Sequence, residues 1–243
     1  TMKARSPHNF ANVILGEGDN KHKRAADLMR KMVAEHLLVQ DQKPCLYFYR
    51  QTFKLTRDEL FCQNLPSDVK AGGPLVRTGF FARVGLEDYS AKVIFPHEKT
   101  FAKHKDDRYA LMTEAQGNME PVFLGYDSQR FSGAEFDAVV MNEKLAAHFT
   151  DGAGVVHELW AIDDEAKVRS VSAALADQSL YILDGHHRYE TALKFYNDHK
   201  QTDKRESLGF VLAQVCAFKQ PGTVILPTHR CLTGIKNFNS KSA

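Results

Sequence analysis

The chain has 243 residues, 43% of them hydrophobic and 26% charged, and its 32 Lys and Arg against 30 Asp and Glu leave a formal net charge of +2. That balance suits a globular protein with a sizeable core, either one large α/β domain or two small ones. It excludes disorder, and so small a charge argues against nucleic acid as a partner.

No membrane association is expected. The longest apolar runs, such as Phe210 to Phe218, are of strand length and far short of the ~20 residues a membrane helix needs. Cys45, Cys62, Cys216 and Cys231 are widely spaced with no C-x-x-C pair, which suits reduced packing residues and a cytoplasmic location. No charged-then-apolar secretion leader opens the chain.

In chain order, Lys21 to Leu38 carries apolar residues at 25, 28, 29, 32, 33 and 37 behind Asp19-Asn20, and predicts an amphipathic helix with an Asp or Asn cap. Pro44 to Phe53 is aromatic and reads as a strand. Tyr47, Phe48 and Tyr49 there could stack on bases, although strand periodicity more often places such residues in a core. After a loop with Pro66, Gly72, Gly73 and Pro74, Val76 to Val84 reads as a second strand ending at Gly85.

Asp88 to Arg108 reads as a charged loop leading into a helix through Ala115. Pro121 to Tyr126 is a short strand, and Asn142 to Phe149 one or two helical turns. Val155 to Ile162 is a strand, and Asp163-Asp164 caps a helix over Glu165 to Ala176. Strand Ser179–Leu183, helix His186–His199 and strand Gly209–Phe218 follow, with a last buried strand from Thr223 leading into Pro227-Thr228-His229-Arg230. The class is α/β or α+β, a mixed sheet with surrounding helices. Residues 1–234 form a single domain, and the polar stretch 235–243 is a tail.

The stretch Leu180-Tyr181-Ile182-Leu183-Asp184-Gly185-His186-His187-Arg188-Tyr189 is the richest in chemistry. A buried strand enters a glycine turn, and a helix opens there with two histidines and an arginine. The first N–H groups of a helix lack internal partners and sit at the positive end of its dipole, so they attract anions. Arg188 adds a planar fork suited to phosphate. Asp184, at the strand's carboxyl end, is placed for Mg²⁺ or for general-base work, or else for Asp-Gly turn formation. His186 and His187 lie about 100° apart on a helix and cannot both face one metal. One packs while the other faces a ligand, or both are structural.

Pro96-His97-Glu98-Lys99-Thr100-Phe101-Ala102-Lys103-His104-Lys105-Asp106-Asp107-Arg108 crowds acids, bases and a hydroxyl together. Phosphoryl transfer needs those types, and a solvated charged loop contains them too. His229 and Arg230 after a strand end make a reasonable pocket wall. Gly16 to Lys21 is a weaker anion candidate, better explained by capping.

The segments 96–100 with 105–108, 183–189 and 226–230 together resemble a mostly bacterial family, domain of unknown function 1015, over nearly the whole chain. Its members are usually longer at both ends, which implies that this chain is the middle part of a longer protein. Asp184-Gly185-His186-His187-Arg188 also resembles the D-G-H-x-R turn of the ParB/sulfiredoxin superfamily, which includes partition-protein nucleotidases, sulfiredoxin and an ADP-dependent free-serine kinase. That resemblance implies a ParB/sulfiredoxin-like core in which Gly185, His186, His187 and Arg188 bind nucleotide phosphates, Asp184 assists metal or substrate, and Glu98 stands nearest to the kinase's glutamate base.

The expectation is a nucleotide-binding protein, using Mg²⁺ at Asp184 and ATP or ADP, that transfers phosphoryl groups to a small hydroxylated acceptor such as free serine, or hydrolyses the nucleotide. Glu98 and Asp184 would be catalytic, and His97, Lys99, Thr100, Lys103, Arg108, His229 and Arg230 would line the pocket. Two other readings stand beside it. One is a non-catalytic, nucleotide-switched regulatory or DNA-associated module, and the other a metal-dependent hydrolase using His97, Glu98, His186 and His229.

Overall fold

Period-2 alternation builds the sheet. In Leu46–Phe53 it turns Leu46 and Phe48 to a buried face, and the same alternation buries Val211, Ala213 and Val215 in Phe210–Ala217. The computed structural model describes residues 4, 6–56, 72–100, 102–203 and 205–226, with side chains left out at 102–104. Among these the strands are β1 (Leu46–Phe53), β2 (Leu75–Gly85), β3 (Ile94–Phe95), β4 (Val122–Tyr126), β5 (Leu145–Thr150), β6 (Val156–Ile162), β7 (Leu180–Asp184) and β8 (Phe210–Ala217). They form one eight-stranded sheet in the order β3-β7-β4-β8-β2-β1-β6-β5. Its pairings are antiparallel except β3 with β7 and β4 with β8. The protein is therefore a mixed α/β structure.

The helices are α1 (Ala11–Ile14), α2 (Lys21–Ala34), α3 (Ala102–Ala115), α4 (Ala134–Val140), α5 (Glu165–Leu175) and α6 (His186–His199). Phe136 and Val140 of α4, Val171 of α5, and Tyr189 and Ala192 of α6 enter one core with Phe48, Phe80, Leu124, Ile182 and Val215. A second, smaller core of Val13, Ala25, Met32 and Leu111 joins α1 and α2 to α3, and α3 packs on α6. Hence α6 lies between the sheet and the outlying helices, and its first turn sits where the two meet.

Several elements differ from the sequence reading. The helix from Lys21 stops at Ala34, because His36 turns left-handed (φ 56°) and the N–H groups of Leu37 and Leu38 fold back to the Met32 carbonyl. Asn20 is itself left-handed, and its side chain makes no capping bond. Asp164 does cap its helix, accepting from the Lys167 N–H at 2.9 Å. The charged stretch 102–108 is the first half of α3 rather than loop. Residues 145–150 form the edge strand β5, not helical turns: β6 supplies a ladder, and Phe149 stacks on His157 with ring centroids 4.6 Å apart. The short helix lies earlier, at Ala134–Val140. Thr223–Leu226 makes no strand, and Ile225 there is 90% exposed. Cys62, Cys231, His229, Arg230 and the 235–243 tail lie outside the described residues.

Phe48 is fully buried, stacked on Phe80 (5.6 Å between ring centroids) and packed against the tilted ring of Phe136 (5.3 Å). Phe48→Ala would leave a ring-sized cavity where sheet and helix meet, and is expected to cost about 3–5 kcal/mol of stability. Denaturant midpoints of parent and variant measure this, and a loss below about 1 kcal/mol would mean that this part of the core is not close-packed.

Candidate functional site

The turn between β7 and α6 is dictated by one residue. Gly185 has φ 91°, and a Cβ placed on it would come within 2.8 Å of Arg188 Nε. The positive φ is what favours glycine here, since the Arg188 side chain could shift away from a Cβ. Arg188 folds back over the turn, pairing with the Asp184 carboxylate and donating to the Pro121 carbonyl. Asp184 ends β7 with 71% of its side chain exposed. Three residues of the expected phosphate and metal cluster are thus adjacent, with the cation already neutralised by the carboxylate.

His186 is buried, with 1% exposed. Its Nε2 accepts the backbone N–H of His97 at 3.2 Å, and its Nδ1 lies 3.2 Å from Glu98 Oε1. A backbone N–H can only donate, so Nε2 is the lone-pair nitrogen and the proton sits on Nδ1, facing the carboxylate. His97 in turn donates from Nδ1 to the Ile182 carbonyl at 2.7 Å, and the two imidazoles meet edge to face at 4.5 Å. Both ring nitrogens of His186 are therefore engaged within the protein. Its side chain holds Glu98 in place, and 53% of the Glu98 side chain remains exposed. Burial lowers the His186 pKa below its ordinary value, the attraction of Glu98 opposing this in part.

One turn further along α6, Glu190 accepts from Thr100 Oγ1 at 2.6 Å, from Lys105 Nζ at 2.9 Å and, more weakly, from Tyr89 at 3.5 Å. Burial pushes its carboxyl upward, but the bonds from Thr100 and Lys105 outweigh burial and hold it below the ordinary carboxylate value. His186 and Glu190, at i and i+4, present one helix face. That face pins the 97–105 segment at both ends.

Glu190 and Tyr89 escaped the sequence reading, although i+4 spacing from His186 within the expected helix was a usable signal for Glu190. Arg108 lies apart from this cluster: it pairs with Glu120 at 2.8 Å and reaches the Ile14 carbonyl at 3.4 Å, and it lines a small pocket together with Arg188 and Thr191. The His187 carbonyl accepts from Thr191 Oγ1 at 2.6 Å. Lys99 is exposed beside Glu98, and Lys103 lies in the first turn of α3 with its side chain outside the described residues.

Among the described residues, His97, Glu98 and His186 form a group whose ligand atoms lie within 4.8 Å of one another. Coordination through His186 Nδ1 would move its proton to Nε2, directly against the His97 N–H. The donor set therefore fits a metal poorly and a hydrogen-bonded carboxylate–imidazole pair well.

Fold and site together define the class: a mixed α/β protein with a glycine-hinged strand-to-helix turn at a strand's carboxyl end, onto which a distant loop delivers a glutamate. More particularly, the family model described as protein of unknown function, DUF1015, matches residues 1–243, and the chain belongs to that family. No curated protein and no solved structure matches it. No helix among the described residues is long and apolar enough to cross a membrane.

Two outcomes are expected. Because the fold lowers the His186 pKa from 6.5, the native state binds fewer protons there than the unfolded chain. The contribution is fully present above about pH 6.5 and is lost as the pH falls toward the lower folded value. Urea midpoints at pH 7.5 and about 5.5 should therefore fall more steeply for the parent than for His186→Gln; equal slopes would contradict a neutral, buried His186. Zinc, assayed by competition with a chelator, should bind no more tightly to the parent than to Glu98→Gln, whereas stoichiometric binding that the substitution abolishes would overturn the tautomer assignment.

Proposed function

We propose that this protein binds a nucleotide at the Gly185 turn and, with Mg²⁺, transfers a phosphoryl group to a small hydroxylated acceptor such as free serine, or to water. The observation that carries the reading is the contact of Glu98 with His186. A carboxylate from a segment more than eighty residues away in sequence is held, exposed and oriented, beside a helix N-terminus that carries an arginine. A general base and an anion-binding terminus side by side are what phosphoryl transfer requires. The likeness of Asp184-Gly185-His186-His187-Arg188 to the phosphate-binding D-G-H-x-R turn adds support.

The roles follow from the contacts. Glu98 takes the proton of the acceptor hydroxyl, and the acceptor oxygen attacks the terminal phosphorus. The bond from that phosphorus to its bridging oxygen breaks, and the departing nucleotide keeps the electron pair. His186 orients Glu98 through Nδ1–H and keeps it from turning away. The α6 backbone N–H groups and Arg188 face the phosphate charge, Arg188 exchanging the Asp184 carboxylate for phosphate oxygens. When bound, Mg²⁺ would supply charge neutralisation. Asp184 is the carboxylate suited to hold it, since that ion commonly takes one or two carboxylates and completes its shell with phosphate and water.

Calorimetry with ATP, ADP and CTP, with and without Mg²⁺, tests the reading on the intact protein. At least one nucleotide should bind, and Arg188→Ala should weaken it by about tenfold to a hundredfold. Glu98→Gln should keep the affinity within a few-fold and lower turnover by about 10²–10⁴. Absence of binding by all three nucleotides sinks the proposal, and tight binding without turnover converts it to a nucleotide switch.

A further inference from the structure

Arg108 lines two neighbouring cavities. One is the small pocket behind the turn, shared with Arg188 and Glu120. The other is a groove of about 740 Å³ between the α1–α2 pair and α3, within the size range of small-molecule and cofactor sites. Leu111 also borders both, so the groove and the pocket beside Arg188 are neighbours.

The groove has a chemical gradient. Its apolar surface comes from Ile14 and the half-exposed Leu15, backed by Val13, Ala25 and Leu111, which are buried in the core beneath. Lys21, His22 and Asp107 stand on its rim, where Asp107 accepts from both Lys21 and His22, the latter at 3.0 Å. Cationic groups at Arg108 and Arg188 thus adjoin an apolar slot edged by a carboxylate. Such a sequence of surfaces suits one molecule with phosphates at one end, an apolar ring at the other and hydroxyl or amine donors between.

We propose that this groove is the nucleoside subsite: the ring system lies on Ile14 and Leu15, Asp107 accepts from ribose hydroxyls or an exocyclic amine, and the phosphates run past Arg108 to Arg188. The inference rests on the phosphate-binding reading of the Gly185 turn and adds the side from which the ligand enters. A purely aliphatic diphosphate would cover the apolar surface but leave Asp107 without a ligand donor.

The experiment is calorimetry of ADP and of inorganic pyrophosphate on the parent, Leu15→Ala, Asp107→Ala and Arg188→Ala, with circular dichroism confirming that each variant folds. ADP should bind at least about tenfold more tightly than pyrophosphate, because only ADP uses the groove. Leu15→Ala should weaken ADP by about fivefold and leave pyrophosphate unchanged. Asp107→Ala should weaken ADP too, although removal of a negative charge by itself tightens any anion. Arg188→Ala should weaken both ligands. If ADP and pyrophosphate bind equally and neither rim variant distinguishes them, the groove inference falls while the phosphate site stands. If neither ligand binds, the phosphate reading falls and takes the groove with it.

Discussion

The candidate site depends on one buried imidazole. His186 sits between sheet and helix layers with almost no exposure, and a buried ring with two polar nitrogens is costly unless both are partnered. The His97 backbone supplies the donor for one nitrogen, and Glu98 the acceptor for the other. Satisfying His186 therefore fixes the position of the loop before α3. It also fixes Glu98, whose side chain remains about half exposed at the surface. The burial that lowers the His186 pKa keeps the ring neutral, and a neutral ring with this tautomer can accept from one side and donate to the other.

Around that contact the charges are arranged in closed pairs: Arg188 with Asp184, Arg108 with Glu120, Lys105 with Glu190, and Lys21 with Asp107. Partly exposed pairs of this kind contribute little to stability, because their Coulomb attraction is offset by screening and by the ordering of long side chains. They are therefore exchangeable. Under the proposed function, an incoming phosphate would present the same oxygen chemistry to Arg188 as the Asp184 carboxylate does, with more charge, and would take over the guanidinium at small net cost. The Lys105–Glu190 pair differs, because Thr100 also donates to Glu190; that carboxylate ties the loop down.

The local features were legible in the sequence. The strand from 180, the glycine hinge at 185 and the helix from His186 to His199 are set by short-range effects: β-rich residues, a position that needs positive φ, and helical periodicity. The convergence of Glu98 on that turn was an expectation from the kinase resemblance, since nothing in the spacing of 98 and 186 speaks of contact. Glu190 was missed although its helix was read correctly, because a carboxylate four residues along a helix face reads as solvated until a lysine and a threonine from elsewhere meet it. The misread segments fail for the same reason. Residues 145–150 carry no strong local preference, and β6 decides their form by offering a ladder. Thr223–Leu226 looks like a strand but finds no partner among the described residues.

By itself the sequence determined the mixed α/β class, most element boundaries, and the strand-to-helix turn at Asp184–Arg188, with its expectation of an anion site. These follow from periodicity, glycine geometry and the unpaired N–H groups of a first helical turn, which act over a few residues. The tertiary structure decided which of two adjacent histidines is buried, that its ring nitrogens take His97 and Glu98, that Glu190 anchors the loop, and that Arg108 lines both the pocket at Arg188 and the groove beside α1, α2 and α3. Those outcomes depend on burial and on pairing between distant segments. A side chain's need for a partner is written in its chemistry, but the partner is chosen by packing.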